Sequence, residues 1–259
     1  MLGLGNSVSV ASYSSADPQF GLTFDGTGDV MTIPDIQTIL RGSFTINHWF
    51  RVADSTPSAF NFSGFFNDSN NFFRWGLNNS GGKVNYGFKG NGTVTASNDN
   101  ANPALSGNGD SGWYMLTFSV ALAGDGSSPS TIKVYTNANH VNGSETIARA
   151  GHTAIDTGGL AFGFGAAVES GGVQLPWTGK FDEIAIWNAA LDDDAITALY
   201  GSGTPLNATA DSGNYDNSSD LVRYYRCNEG SGTTVTDATG NADGTLVADA
   251  TYTTDHVYG

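Results

Sequence analysis

The most constraining feature of the sequence is its punctuation. Short runs rich in β-branched and aromatic residues recur between clusters of Gly, Asn, Asp and Ser from Phe20 onward. They include Leu22 to Phe24, Val30 to Ile33, Phe44 to Val52, Phe60 to Phe66, Phe72 to Leu77, Val84 to Phe88, Trp113 to Leu122, Ile132 to Tyr135, Leu160 to Phe164, Phe181 to Trp187 and Leu221 to Cys227. Strand-length runs at this spacing predict an all-β sandwich or jelly roll. No repeat of roughly 20–50 residues points to a propeller or solenoid. The clearest local unit is a hairpin, Phe72-Phe-Arg-Trp-Gly-Leu and Lys83-Val-Asn-Tyr-Gly-Phe, joined by the glycine-bearing Asn78-Asn-Ser-Gly-Gly. One segment reads as a helix. In Asp192-Asp-Asp-Ala-Ile-Thr-Ala-Leu-Tyr an aspartate caps the start, and two more meet the helix dipole in the first turn. Ile196, Leu199 and Tyr200 share a face, and Gly201 supplies the stop, giving a two-turn lid on the sandwich.

Composition supports that class and removes several functions. The chain has 35 glycines, and its only glutamates are Glu145, Glu169, Glu183 and Glu229, so its acidity resides in turn-forming aspartate rather than helix-forming glutamate. Twenty-five acidic residues against ten basic ones give a net charge of -15, which repels nucleic-acid phosphates and anionic lipid headgroups. Cys227 is the only cysteine, so no intrachain disulfide exists, and its strand-like setting predicts a buried, inert thiol. The first residues carry no basic segment and no apolar run of signal-peptide or membrane-span length, so the expected product is soluble and made in the cytoplasm. The expected organisation is an N-terminal arm over 1–18, a jelly roll over 19–205, and a C-terminal linker and strand over 206–259.

Several segments resemble the laminin-G-like branch of the concanavalin-type jelly rolls. Leu22-Thr-Phe-Asp-Gly-Thr-Gly-Asp-Val-Met-Thr-Ile-Pro is similar to that branch's opening strand pair, and Gly42-Ser-Phe-Thr-Ile-Asn-His-Trp-Phe-Arg to its next strand. Trp113-Tyr-Met-Leu-Thr-Phe and Ile132-Lys-Val-Tyr-Thr-Asn resemble central strands. Gly179-Lys-Phe-Asp-Glu-Ile-Ala-Ile-Trp-Asn-Ala-Ala-Leu-Asp-Asp, entering the short helix, is the most specific match. The resemblance implies a concanavalin-type β-sandwich with one short helix after the Asp182 strand. The segment from Leu221 resembles a stretch that precedes the opening strand in many members, yet here it comes last. It is expected either to return beside residues 20–35 in a permuted sandwich or to cross to a neighbouring subunit.

The residues offer little for catalysis. Retaining glycosidase chemistry needs two carboxyl groups about 5–5.5 Å apart. Of the four glutamates none has another close in sequence, and adjacent Asp182 and Glu183 on a regular strand point to opposite faces. His48, His140, His152 and His256 are scattered, and His48, alternating with Phe44, Ile46 and Phe50, reads as a hydrogen-bonded core histidine. The expectation is a protein that is not an enzyme. Asp237-Ala-Thr-Gly-Asn-Ala-Asp-Gly concentrates oxygens on a tight loop that suits Ca2+, and a plain Asx-rich turn is the alternative. The resemblance adds Asp182 and implies a structural calcium held by Asp182, Asp237 and Asn241. Phe65-Phe66 and Phe72-Phe73 are adjacent aromatic pairs, so on strands one ring of each faces away from the core, the alternative being a bulge or loop that turns both inward. Phe66, Phe73 and Trp75 are the expected outward set, a surface for subunit contact first and glycan stacking second.

Leu2-Gly-Leu-Gly-Asn-Ser, together with the C-terminal ordering, resembles laminin-G-like structural proteins of tailed bacteriophages. That resemblance implies a non-enzymatic virion protein, a head decoration or a head or tail fibre, assembled in the host cytoplasm. Its partners are then other virion proteins, copies of itself and host surface glycans, with no nucleic acid and no membrane. The alternative is a carbohydrate-binding, lectin-like module of a bacterial surface or secreted protein.

Overall fold

The computed structural model describes residues 19–52, 61–77, 84–101, 112–141 and 145–258. The expected arm over 1–18, the expected hairpin loop over 78–82 and Lys83 lie outside them. The chain opens with strands β1 (Gly21–Asp25) and β2 (Val30–Ile33), a helical turn α1 (Gln37–Leu40) and the long strand β3 (Phe44–Val52). Four strands follow: β4 (Asn61–Asp68), β5 (Asn71–Leu77), β6 (Val84–Gly90) and β7 (Thr93–Ala101). Next come β8 (Tyr114–Ala121), β9 (Ser130–Thr136), β10 (Asn139–His140), β11 (Glu145–Ile147) and a second short helix α2 (Arg149–Thr153). Then β12 (Phe162–Phe164), β13 (Ala167–Glu169), β14 (Gly172–Gln174) and β15 (Thr178–Trp187) lead into α3 (Asp193–Tyr200). The C-terminal part supplies β16 (Leu221–Tyr225), β17 (Thr234–Val235), β18 (Gly244–Val247) and β19 (Thr251–Thr253).

These strands form the two sheets of a jelly-roll sandwich. One runs β10-β9-β8-β3-β15-β1-β19, with β11 beside β9 and β16 beside β15. The other runs β17-β18-β2-β12-β4-β5-β6-β7, with β13 and β14 attached at β4. The C-terminal segment pairs within this one chain and serves both sheets. β18 lies antiparallel to β2 (Leu246 opposite Met31), β19 to β1 (Leu22 opposite Tyr252), and β16 to the second half of β15.

Alternation explains which residues fill the sandwich. On β3, Phe44, Ile46, His48 and Phe50 face the second sheet and join Phe65, Phe73, Trp75, Tyr86, Phe88 and Phe118 in an aromatic-rich core. Thr45, Asn47 and Trp49 point the other way, yet they too are buried, because α3 and the chain after it cover that face. The covering layer follows the sequence closely. Asp192 caps α3 by accepting from the Ala195 N–H at 2.8 Å, and Gly201 ends it in the left-handed conformation at φ 54°. Ile196 and Leu199 are buried, and Tyr200 stacks on Trp49 with ring centroids 5.6 Å apart and planes 14° apart. The helices α1 and α2 are too short to show a 3.6-residue apolar period, which is why the sequence pattern gives only α3. Among the described residues, no helix is long and apolar enough to cross a membrane.

Candidate functional site

The site grows out of the hairpin-like pairing of β4 and β5. Its register sets Phe65 opposite Phe73 and Phe66 opposite Phe72. Since neighbours on a strand face opposite ways, one cross-strand pair goes inside and the other outside. The inner pair is Phe65 and Phe73, and Trp75, two residues after Phe73, shares its direction. Phe73 is 0% and Trp75 1% exposed, packed against Phe118 and Phe162. The expectation of Phe73 and Trp75 as surface residues is therefore corrected. The alternation argument held, but which ring faces out is set by a strand register that the dipeptides alone do not carry. Phe66 is on the outer face as expected, and its outward partner is Phe72.

Phe66 and Phe72 are partly exposed and stack at 5.6 Å with planes 23° apart. Arg74, in phase with Phe72, lays its guanidinium over both rings, 5.1 Å from the Phe66 centroid and 5.2 Å from that of Phe72. Such cation–π contacts are worth about 0.5–2 kcal/mol. Arg74 Nη1 donates to Gln174 Oε1 at 3.3 Å, and Gln174 Nε2 donates to Glu169 Oε2. The β13–β14 hairpin brings these groups in, because β13 pairs parallel with β4 and sets Glu169 opposite Phe66. Gly87 is opposite Arg74, and a Cβ there would meet Phe72 Cε2 at 2.9 Å, so only glycine leaves the ring its place. Lys89, opposite Phe72, donates to the Ser69 carbonyl at 2.6 Å. The result is an outward platform of two phenyl rings, a planar cation, an amide and a carboxylate. Partial burial pulls the Arg74 guanidinium down from its ordinary pKa.

A second polar cluster sits on the outer face of the first sheet, under α3. Between Asp182 and Ala185 the register of β15 against β3 shifts, and Glu183 adopts φ 48°. Asp182 is opposite Trp49 and Ala185 opposite Asn47, so an extra residue of β15 is accommodated as a β-bulge. Glu183 lines a small cavity with Trp49, Ala185, Trp187 and Leu199, which are on the outer side, whereas Ile184 joins the core between the sheets. The expectation that Asp182 and Glu183 face opposite ways is thus corrected by the bulge. Asp182 is 1% and Glu183 3% exposed, and the neighbouring cavity has room for about one water molecule, so no sugar reaches the pair. Burial, and next the Glu183 charge, push the Asp182 carboxyl well above the usual carboxylate range. Tyr224 donates its hydroxyl to Glu183 Oε2. Nearby Cys227 is fully buried, and burial first, with Asp182 second, raises its thiol pKa, as an inert cysteine requires.

The residues expected to hold calcium are distributed between two hydrogen-bonding tasks. Asp182 Oδ1 accepts from the Glu183 N–H at 2.8 Å, and Oδ2 accepts from the Val257 N–H at 3.0 Å. Asp237, 3% exposed, accepts at Oδ1 from the N–H groups of Tyr224 and Thr239, both at 2.9 Å, and from the Thr239 hydroxyl at 2.8 Å. Its Oδ2 accepts from the Ala242 N–H at 3.0 Å. Oδ1 thus meets three donor groups and Oδ2 one, with the Thr239 hydroxyl proton shared between Oδ1 and the Val222 carbonyl. Asn241 directs its amide N–H toward the Val222 carbonyl and Thr239 Oγ1, at 3.1 and 2.9 Å. Asp182 and Asp237 thus accept from backbone N–H groups and Asn241 acts through its amide N–H, so the three residues serve separate hydrogen-bonding tasks and do not form one oxygen cage of the kind Ca2+ needs. Among the described residues, no three His, Cys, Asp or Glu side chains come together as a metal-binding group.

The sandwich is that of one large superfamily. A laminin-G family profile, described as the concanavalin A-like lectin/glucanases superfamily, matches residues 25–197, and the chain belongs to that family. Among solved structures, the fold is similar to that of a candidate carbohydrate-binding protein from Bacteroides ovatus. The TM-score is 0.56 and the identity 15%, over 91% of this chain and 60% of that one. It is also similar to a mutant of the NanB sialidase of Streptococcus pneumoniae, with a TM-score of 0.51 and 19% identity over 74% of this chain. This chain therefore spans less than two thirds of the first of these proteins and 29% of the second. No curated protein sequence matches it.

Proposed function

We propose that the protein is a non-catalytic carbohydrate-binding module whose contact surface is the outer face of β4 and β5, built from Phe66, Phe72, Arg74 and Gln174. The observation that carries this reading is the partly exposed phenyl pair capped by a planar cation and flanked by an amide and a carboxylate. A sugar ring presents apolar C–H patches edged by hydroxyls, and rigid aromatic surface beside fixed hydrogen-bonding groups complements both. Membership of a superfamily that includes lectins supports the reading, as does the fold shared with the B. ovatus protein. The non-catalytic part rests on burial, since the adjacent carboxylates are closed off, Glu183 beside Leu199 of α3 and Asp182 against the C-terminal Val257.

The matched proteins lend no support to the expected placement on a tailed-phage particle, so the carbohydrate-binding alternative is preferred here. Retention on immobilised polysaccharides, for wild type and Phe72→Ala, tests it. Retardation by at least one glycan, lost in the variant and unchanged by chelator, supports the reading. Equal mobility of both proteins on every glycan overturns it.

A further inference from the structure

We propose that the space between the sheets beside His48 is a binding site for one water molecule, held by His48, Trp177 and Ser63. The site follows from tautomer logic. His48 is 2% exposed, and its Nε2 accepts a hydrogen bond from Trp75 Nε1–H at 2.9 Å. In a neutral imidazole the proton then belongs to Nδ1, which becomes a donor. Burial keeps the ring neutral, lowering its pKa to about 3 against a smaller opposing interaction with the Trp49 backbone. Among the described residues Nδ1 is buried and meets no group at full hydrogen-bond geometry, its interaction with the Trp49 backbone being a weak one. The indole N–H of Trp177, a residue 4% exposed, likewise meets no hydrogen-bond acceptor among the described residues.

Both residues line one cavity, together with Ser63 and the apolar walls of Phe50, Leu77 and Leu116. Its free space suits one water molecule and nothing larger. The chemistry of the lining selects the occupant. An indole nitrogen only donates, and Nδ1 of this tautomer only donates, so the ligand must accept twice. Ser63 Oγ already accepts from the Gly165 N–H at 3.1 Å and keeps a second lone pair for a proton that the ligand gives back. Water meets all three demands, whereas an anion would enter apolar walls with no counter-charge. Such a water ties β3 of one sheet to β4 of the other and to the residue that precedes β15. It would brace, from inside, the strands that carry the outer platform, and it stands whether or not that platform binds sugar.

The test is nuclear magnetic resonance on the full chain with nitrogen-15 in Trp and His. The expected spectrum shows His48 as the neutral Nδ1–H tautomer at pH 7. It also shows cross-relaxation from the Trp177 indole proton to a long-lived water, a signal assigned by its loss in Trp177→Phe. A His48 Nε2–H tautomer, or an indole proton without contact to water, overturns the proposal. If Trp177→Phe does not fold, a high-resolution crystal structure of the wild type decides. Density within about 2.7–3.2 Å of both ring nitrogens supports the site, and a dry cavity or a different occupant refutes it.

Discussion

Replacing Asp237 by alanine separates two roles that one carboxylate can play in a turn. As a hydrogen-bonding hub, Asp237 holds three backbone N–H groups and one hydroxyl, and through Tyr224 it fixes the loop to β16. Asp237→Ala deprives the three backbone N–H groups of their acceptor, while the Thr239 hydroxyl can turn to the Val222 carbonyl at 3.1 Å. A donor left unsatisfied costs about 1–3 kcal/mol when buried and less where water can enter. The Tyr224 N–H is buried and the N–H groups of Thr239 and Ala242 are partly buried, so the expected total is roughly 2–4 kcal/mol. That is a large share of the ~5–15 kcal/mol that holds a typical domain together. Asp237→Asn keeps one oxygen and turns the other position into a donor, so about half the loss is expected. A calcium ligand would behave differently. At a hundredfold excess over Kd, calcium adds about 2.7 kcal/mol to the wild type, and this increment vanishes with chelator or with Asp237→Ala. Urea unfolding of the three proteins, each with calcium and with chelator, measures both. The expected losses are equal in the two conditions, and a loss that appears only with calcium refutes the hub argument.

Three further outcomes follow from the packing. Because the Asp182 carboxyl is raised, its contribution to stability is complete below the unfolded value of 3.8 and is lost as pH rises through the folded value, so stability should fall across that window. Glu183→Gln, which removes the neighbouring charge, should flatten the fall, and an unchanged slope in unfolding titrations counts against the shared environment of the pair. Gly64→Ala should cost at least about 2 kcal/mol by urea unfolding, since Gly64 sits at φ 124° and an added Cβ would lie 2.1 Å from the Phe73 carbonyl oxygen; a change below about 0.5 kcal/mol contradicts the β4–β5 register. Truncation after Asn207 removes β16 to β19 from both sheets and should yield insoluble or molten protein, whereas a folded monomer by near-ultraviolet circular dichroism would show the tail to be dispensable.

What the sequence made legible was set by short-range chemistry. Asp192, the apolar face of Ile196 and Leu199, and Gly201 each act within a few residues, so α3 could be read directly. His48 followed from alternation along β3, and its burial among aromatics agrees. Long-range register was not legible. Adjacent phenylalanines require one ring of each pair to leave the core, but only the pairing of Phe66 with Phe72 selects Phe72 over Phe73 and brings Arg74 above both. Gln174 and Glu169 reach the platform through a parallel contact between strands about a hundred residues apart in sequence, for which no local pattern exists. The bulge at Glu183 escaped for a related reason. A positive φ at a glutamate carries no sequence mark, and its effect is to place two neighbouring side chains on one face.

The outer face of β4 and β5 is proposed as a carbohydrate-binding surface. The most direct measurement is a glycan array probed with the wild type and with the double variant Phe66→Ala, Phe72→Ala, with thermal unfolding of both as the control for folding. Because both rings are partly exposed, the variant should still unfold cooperatively. The expected result is wild-type binding to a defined glycan class and its loss in the folded variant. Binding that survives the loss of both rings, or a wild type that binds no glycan, would contradict it.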